Sequence, residues 1–443
     1  MLQLRTIALA GLLASVGLAL AQRDYDHVDP SGQTVVFWHQ HGGVREAGLQ
    51  AIVERFNAEN PYDIEVVAEF QGSYPEIFQK MLLLIGTPDA PNLVVAYQDQ
   101  AAAYQFADGL IDIRAFLDSE RWGLAAEDLA DFFPGFIDSD VNPVLGGQLL
   151  GFPPNRSIEV MYYNLDWIDE LGFDGPPATP EGFAAQACAA AEQGWSGSVT
   201  GGPSLGYELT LDASRFASWT FAFGGDVFDT TTNRYTFDSD AAIAAMTFLQ
   251  GLFERGCADI VTERFGDQTN FSLGTTLFTV GSSSGLPFYR NAVEAAADFA
   301  WSVTAVPHTT PEPVVNVYGA SVSITAGHAP EAELATWLFV RSFTGSEAQA
   351  DWARASNYFP VRASVAAGLD DYFAAEPAYE AAFALLPYGV SEPVAPGYAF
   401  VRDLVAAEMA AIVDGADVVS GLQRLNEASN RILLEQLADL ERD

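Results

Sequence analysis

The stretch TVVFWHQHGGVREAGLQAIVERFNAEN, residues 34–60, decides the predicted fold. Residues 34–38 are rich in β-branched and aromatic side chains, which predicts a strand. After a loop at 39–43, apolar residues recur at helical spacing, which predicts a helix that ends before Pro61. The apolar face of that helix consists of Leu49, Ile52, Val53 and Phe56.

The same alternation of strand and helix continues along the next fifty residues. Strands are predicted at 64–70 and 93–97, and helices at 77–85 and 101–106, with Pro75 placed where a helix can begin. Strands that alternate with helices at this spacing form βαβ units. We therefore expect a mostly parallel sheet with helices on both faces.

A second run of alternation begins near Gly151. Its predicted strands are 159–164, 276–280 and 317–324, and its predicted helices are 166–171, 180–192, 241–255, 334–343 and two from residue 399 onwards. No linker divides the two runs, which indicates two α/β lobes interwoven along one chain. A ligand would lie between the lobes, where the strands end.

The charge of the chain excludes some classes of partner. The sequence has 59 acidic and 20 basic residues, a net charge of -39. This charge repels phosphate backbones and anionic lipids, so we expect no nucleic-acid partner. An apolar fraction of 49% excludes a disordered acidic protein.

Residues 1–21 have the pattern of a cleaved signal peptide. Arg5 precedes the apolar stretch 7–18, and Ala19-Leu20-Ala21 forms a small-residue cleavage site. A buried N-terminal helix and an uncleaved anchor are the alternatives, although the apolar stretch is shorter than a membrane span needs. We therefore expect a periplasmic or extracellular protein.

Cys188 and Cys257 are the only cysteines. In an oxidising compartment an even number of cysteines favours a disulfide, and two buried free thiols are the alternative. Neither cysteine has a neighbour that would suggest a metal site or a catalytic thiol.

Motifs for catalysis and cofactors are absent from the sequence. It contains no G-x-S-x-G, P-loop, HExxH or G-x-G-x-x-G pattern. His39 and His41 could share a strand face as metal ligands, but without a third ligand nearby a polar loop is the better interpretation. We expect no metal, no cofactor and no catalytic residues.

Strand ends carry residues suited to a polar ligand. The run Ser282–Ser284 follows an apolar strand and offers hydroxyls and free backbone N–H groups, although an ordinary turn before a helix is the alternative. Aromatic residues near other strand ends could pack on sugar faces, and singly each could equally be core. They are Trp38, Tyr74, Tyr97 and Tyr358.

Six stretches, in order along the chain, carry a family resemblance. They are FNAENP (56–61), QGSYPE (71–76), PPNRSIEVMYYN (153–164), FTVGSSSG (278–285), YGASV (318–322) and NYFPVR (357–362). The chain resembles the extracellular solute-binding proteins of ABC importers (family 1), and is most similar to the glycerol-3-phosphate-binding branch, close to carbohydrate-binding members. The resemblance implies a type II periplasmic-binding-protein-like fold with a hinge, a membrane permease as partner, and a monomer. The expected lobes are 33–145 plus 305–360 (N-terminal), and 146–304 plus 361–443 (C-terminal).

The resemblance also implies ligand contacts, position by position. The family's ligand-binding positions fall on Tyr74, Ser157, Ser283 or Ser284, Gly319 and Tyr358. Two positions depart from the family pattern. Gln98 stands where a glutamate is expected, and the late arginine that meets phosphate is replaced around 395–397, with Tyr398 close by.

Arg156 stands where the glycerol-phosphate binders have a serine. It could hold a phosphate through a bidentate contact, or it could form a structural ion pair. Both interpretations remain open at the level of sequence.

Three functions follow as hypotheses. The leading one is capture of a sugar or polyol for an ABC importer, and glycerol 3-phosphate or a glycerophosphodiester is the alternative ligand. A secreted glycan-cleaving enzyme is the rival from another class, and an extracytoplasmic sensor or structural protein is the third. Gln98 and the missing late arginine favour the neutral ligand.

Overall fold

A computed structural model of the chain describes residues 24–201 and 203–440. The predicted signal peptide, 1–21, lies outside the described residues. None of the helices in the described ranges is both long enough and apolar enough to cross a membrane.

Fifteen strands occur within these ranges. They are β1 Thr34–His39, β2 Glu65–Phe70, β3 Leu93–Ala96, β4 Val141–Asn142, β5 Gln148–Leu149, β6 Ser157–Asn164, β7 Leu205–Leu209, β8 Phe228–Asp229, β9 Arg234–Tyr235, β10 Ala258–Ile260, β11 Thr276–Ser282, β12 Trp301–Thr304, β13 Val315–Tyr318, β14 Ser321–Ile324 and β15 Gly389–Ser391. Strands β4 and β5 form one small hairpin-like pair, and β8 and β9 form another.

The same ranges contain nineteen α-helices and two 3₁₀ turns. The helices are α1 Val44–Glu59, α2 Tyr74–Leu84, α3 Gln98–Gln105, α4 Arg114–Leu117, α5 Ala126–Ala130, α6 Pro134–Asp138, α7 Leu165–Glu170, α8 Pro180–Gln193, α9 Ala213–Ala222, α10 Asp240–Glu254, α11 Gly266–Ser272, α12 Leu286–Ala295, α13 Pro330–Phe343, α14 Ser346–Ser356, α15 Ala363–Ala366, α16 Asp370–Ala375, α17 Pro377–Phe383, α18 Tyr398–Val413 and α19 Val418–Leu440. The 3₁₀ turns are Ser283–Gly285 and Leu386–Tyr388.

The first lobe is built on a four-stranded sheet with the order β14-β3-β1-β2. Strand β1 pairs in parallel with β2 and β3, and β14 is antiparallel to β3. Helix α1 packs on this sheet because its apolar face, predicted from the sequence, is buried there. Helix α2 begins with a capping box in which Ser73 and Glu76 satisfy each other's backbone N–H groups.

The second lobe is built on a seven-stranded sheet. Its order is β10-β7-β11-β6-β13-β15, and β12 also pairs with β6. The mostly parallel sheet predicted from residues 34–106 is found in the first lobe, whereas in this sheet β6 is antiparallel to β11, β12 and β13. The reason lies in the path of the chain. It enters this lobe beside the C-terminal end of β11, and β6 then runs in the opposite direction to β11, so that Glu159 near the start of β6 pairs with Ser282 at the end of β11.

The chain passes between the two sheets three times within the described residues: between β3 and β6, between β13 and β14, and between β14 and β15. The predicted single strand 317–324 is in fact β13 and β14, which belong to different sheets. Gly319, with φ of 154°, lies at the break. A Cβ there would come within 3.3 Å of the carbonyl oxygen of Asn155, on the neighbouring crossing segment.

The lobe boundaries stay a prediction, and strand pairing bears on one of them. Strand β13 lies in the segment 305–360 that was assigned to the N-terminal lobe, yet it pairs with β6 and β15 of the larger sheet. Sequence pattern alone could not reveal this, because β13 and β14 are separated by only two residues.

Cys188 and Cys257 form a disulfide bond, with their Cα atoms 4.6 Å apart. Cys188 is in α8, and Cys257 immediately precedes β10. Both elements belong to the larger-sheet lobe, so the bond stabilises one lobe without restricting movement between the two.

Candidate functional site

A cavity of about 710 Å³ lies between the two lobes. Its walls come from the ends of β3, β6, β7 and β13, from the first turns of α2 and α3, and from α9 and α18. The aromatic, charged and amide side chains that line it include Tyr74, Tyr97, Gln98, Asp99, Arg156, Glu159, Asp212, Arg215, Tyr318, Glu392, Tyr398, Arg402 and Asp403.

Two tyrosines form the wall on the smaller-sheet side. Tyr74 opens α2, and Tyr97 follows β3, and their ring centroids are 4.7 Å apart. The amide of Gln40 donates a hydrogen bond to the Tyr74 hydroxyl at 2.6 Å. Burial, and then the neighbouring Tyr358, raise the pKa of Tyr74 well above its ordinary value. Both rings therefore present neutral, apolar faces to a ligand.

Asp99 is the acidic group on the same side. It lies in the first turn of α3 and is only 9% exposed. Among the described residues no ion pair includes it, although Arg402 is close enough to act on its charge. Burial raises the pKa of Asp99 above its ordinary value. A buried carboxylate without a salt bridge is a strong hydrogen-bond acceptor for ligand hydroxyls.

On the larger-sheet side, Glu159 organises one polar cluster. Its side chain is fully buried and forms an ion pair with Arg215. The hydroxyl of Tyr318 donates to the same carboxylate at 2.7 Å. Glu159 thus fixes both a guanidinium and a tyrosine at the cavity wall.

Arg402, on α18, organises a second cluster. It donates to Glu392 at 2.7 Å and to Asp212 at 3.1 Å. The hydroxyl of Tyr398 donates to Glu392 at 2.6 Å. The charge of Arg402 is therefore balanced by two carboxylates before any ligand arrives.

Five of the candidates named from the sequence line the cavity: Tyr74, Tyr97, Gln98, Arg156 and Tyr398. The amide of Gln98 donates to Asp140 at 2.9 Å and to the carbonyl oxygen of Gly319 at 3.2 Å. Its Nε2 thus holds the crossing segment in place.

Arg156 is held by the protein. Its side chain is 1% exposed, and it forms an ion pair with Asp140 at 2.7 Å. The terminal nitrogens also donate to Ser139 and Ser321 and to the carbonyl oxygens of Asn155 and Phe136. Of the two interpretations left open by the sequence, this geometry favours the structural ion pair.

The other predicted residues do not appear among the residues that line the cavity. Ser157 donates to the carbonyl oxygen of Tyr318 at 3.2 Å, and Ser283 accepts from the backbone N–H of Ile158. The Ser284 hydroxyl lies 2.9 Å from that of Ser282. Gly319 marks the break between β13 and β14. Their role in ligand binding stays a prediction.

Tyr358 is also not among the residues that line the cavity, but it lies next to Tyr74, which is. Its ring is 7% exposed, and its hydroxyl is close enough to Tyr74 to help raise the pKa of that residue. It therefore supports a residue of the cavity wall.

Sequence reasoning missed most of the charged residues of the cavity. Asp99 could have been found, because it follows directly after a predicted strand end. Glu159 could also have been identified as a site candidate, since a carboxylate within an apolar strand needs a specific partner. The partners themselves, Arg215 and Arg402, lie on helices far along the chain, and no local pattern marks them.

The chain is similar to proteins of known kind. Residues 51–381 match the family model described as bacterial extracellular solute-binding protein. The sn-glycerol-3-phosphate-binding periplasmic protein UgpB of Escherichia coli (strain K12) is 25% identical over 336 residues, which cover 74% of each chain.

Solved structures with the same fold include UgpB from Mycobacterium tuberculosis in complex with glycerophosphocholine. Its TM-score is 0.78 at 21% identity, over 92% of this chain and 100% of that one. The GacH receptor of Streptomyces glaucescens, solved unliganded and with acarbose, has a TM-score of 0.77 at 18% identity, over 91% and 99% of the two chains. The expected two-lobed fold is confirmed. With three quarters of its length matched by the family model, the chain belongs to the bacterial extracellular solute-binding proteins, and it is the solute-capturing component of an ABC importer.

Proposed function

We propose that the interlobe cavity binds a neutral, hydroxyl-rich solute, a sugar or oligosaccharide, and that the protein delivers it unaltered to a membrane permease. The observation that carries this proposal is the charge balance of the cavity. Each lining arginine, Arg156, Arg215 and Arg402, is already paired with a carboxylate. A phosphate would therefore have to displace an existing ion pair.

The carboxylates of the cavity outnumber its arginines. They are Asp99, Glu159, Asp212, Glu392 and Asp403. An anionic ligand would meet net repulsion in a confined site, where charges are weakly screened. A neutral sugar instead supplies hydroxyl donors to these oxygens. Its apolar faces can stack on Tyr74 and Tyr97, which is the arrangement that aromatic and carboxylate walls favour.

The alternative ligand, glycerol 3-phosphate or one of its diesters, has its own support. Relatives named for that ligand are 25% identical to this chain, and Arg402 lies one helical turn beyond Tyr398. It could bind a phosphate only if Glu392 and Asp212 released it. We therefore rank this ligand second.

Isothermal titration calorimetry with the purified protein tests the proposal. Maltose, maltotriose and cyclic glucans form one arm, and glycerol 3-phosphate and glycerophosphocholine form the other. We expect heat of binding from at least one neutral sugar and none from the phosphate esters. Binding of a phosphate ester alone would contradict the proposal.

We also propose that the protein is not an enzyme, acts as a monomer, and works outside the cytoplasm. The family description supports the location outside the cytoplasm, and the absence of a catalytic motif in the sequence supports a protein that is not an enzyme. Incubation with the same sugars, followed by an assay for new reducing ends, should show no turnover. New reducing ends would instead support the glycan-cleaving alternative.

A further inference from the structure

Arg45, in the first turn of α1, contacts both lobes at once. On its own side, its Nε donates to the carbonyl oxygen of Ser356 at 2.9 Å. Ser356 ends α14, which packs against α1. On the other side, its Nη2 donates to the carbonyl oxygen of Ser284, in the 3₁₀ turn directly after β11. One guanidinium thus joins the backbones of the two lobes.

Two aromatic rings flank the same guanidinium. Its Cζ lies 4.9 Å from the ring centroid of Phe288 and 4.9 Å from that of Tyr358. Phe288 is on α12 of the larger-sheet lobe, and it remains 48% exposed. A cation stacked on an aromatic face is attracted to it, so both rings add to the hydrogen bonds.

None of the ion pairs between described residues includes Arg45, although the chain has 59 acidic residues. Its partners are neutral carbonyl groups and rings. The shape of the guanidinium explains the choice of residue: a planar fork can donate in two directions and stack at the same time, which an ammonium group cannot do.

The contact is connected to the cavity through the tyrosines. Tyr358, whose ring lies under the guanidinium, is a close electrostatic neighbour of Tyr74, which lines the cavity. Arg45 itself is not among the lining residues. It is therefore placed to respond to the ligand through Tyr358 and Tyr74 without touching it.

We propose that Arg45 is a latch that holds the two lobes in the arrangement of this structure, which we call closed because Arg45 contacts both of them in it. It is a positioning residue: breaking its contacts favours an open protein while leaving each lobe folded. The inference goes beyond the proposed function, since it holds whichever solute the cavity binds.

Spin-label distance measurements on ligand-free protein test the latch. Nitroxide labels on E54C and E294C, exposed positions of α1 and α12, report the distance between the lobes, and the native disulfide leaves no other thiol to react. In the labelled protein, Arg45→Ala should raise the ratio of open to closed molecules about tenfold, through loss of the charged hydrogen bond to Ser284 and the cation–π contact with Phe288, which both cross between the lobes. Arg45→Lys should give an intermediate ratio.

Arg55→Ala is the matched control. Arg55 is on the same helix, but its ion pairs with Glu347 and Asp351 stay within one lobe. Arg55→Ala should leave the distribution of distances between the two spin labels unchanged. Phe288→Ala, at an exposed ring, removes the other side of the contact without risk to the fold and should act in the direction of Arg45→Ala. Unchanged distances in both Arg45→Ala and Phe288→Ala, or an equal change in Arg55→Ala, would overturn the proposal.

Discussion

At the residue scale, the informative side chain is Asp99, because it is buried in the cavity wall without a salt bridge. A carboxylate in that position has lost its contact with water without forming an ion pair, and its raised pKa reflects this burial. A ligand that supplies two hydroxyl donors would restore what burial removed. In the clusters around Glu159 and Arg402, by contrast, ion pairs are formed before a ligand binds.

Replacing Asp99 should therefore weaken sugar binding. Hydrogen bonds to a charged group contribute about 1.5–3 kcal/mol, so Asp99→Asn should raise Kd at least about tenfold. Calorimetry with the best sugar of the panel measures the change. Asp89→Asn, at an exposed acid outside the cavity, is the control and should leave Kd unaltered. Equal affinities for wild type and Asp99→Asn would show that this wall does not meet the solute.

His39 makes a prediction about pH. Its side chain is buried between Phe37 and Phe70, and burial lowers its pKa to about 4 from the ordinary 6.5. Since the unfolded chain takes up the proton at higher pH than the folded protein, stability falls as pH drops from about 6.5 towards 4.

Urea unfolding at pH 7 and pH 5 checks this direction. Wild-type protein should lose more stability between these two values than His39→Gln, which cannot take up the proton. The buried neighbour His41, whose pKa is also lowered, titrates in both proteins and cancels in the comparison. An equal loss in the two proteins would contradict the assignment to His39.

At the scale of elements, the break between β13 and β14 shows where local pattern stops being informative. Residues 317–324 alternate like one strand, and periodicity cannot tell that the two halves pair with different partners. The positive φ of Gly319 gives the chain its change of direction, and a neighbouring crossing segment leaves little room beside it.

Gly319→Ala should therefore destabilise the protein. The alanine would adopt a strained φ and would come within 3.3 Å of a backbone oxygen, at a cost of about 1–3 kcal/mol. Chemical unfolding measures the loss. Gly251→Ala, near the C-terminal end of α10 with open space around it, is the opposite case and should stabilise by about 0.5–1 kcal/mol. A neutral effect of Gly319→Ala would show that this crossing tolerates ordinary residues.

Most elements of the fold could be predicted from the sequence, because their signals are local. The apolar face of α1, the start of α2 near Pro75 and the two long C-terminal helices all followed from spacing and residue type. The antiparallel direction of β6 could not be predicted, since it depends on the end of the larger sheet at which the chain enters that lobe. The ion pairs of the cavity were equally hidden, because they join residues from distant helices and strands.

At the scale of the whole molecule, charge is the dominant feature. A net charge of -39 makes the folded protein repel itself, and folding brings these charges closer together. The two-lobed fold places many of them on exposed surfaces, where dissolved ions can screen them.

Salt should therefore stabilise the protein. Screening shortens the range of repulsion from about 10 Å at 0.1 M to about 3 Å at 1 M ionic strength, so the urea midpoint should rise over this interval. The rise should level off at high salt, as screening does, whereas a salting-out effect would keep growing. A midpoint that is independent of salt would show that the acidic side chains are too far apart to interact.

The three passages of the chain between the sheets set a limit on how the protein can be divided. A single cut in the polypeptide always leaves at least one sheet short of a strand, because β14 and β15 return to opposite sides after β13. No single cut therefore divides the chain into two complete lobes that could be produced or exchanged separately. The two lobes must therefore be encoded and folded together as one polypeptide.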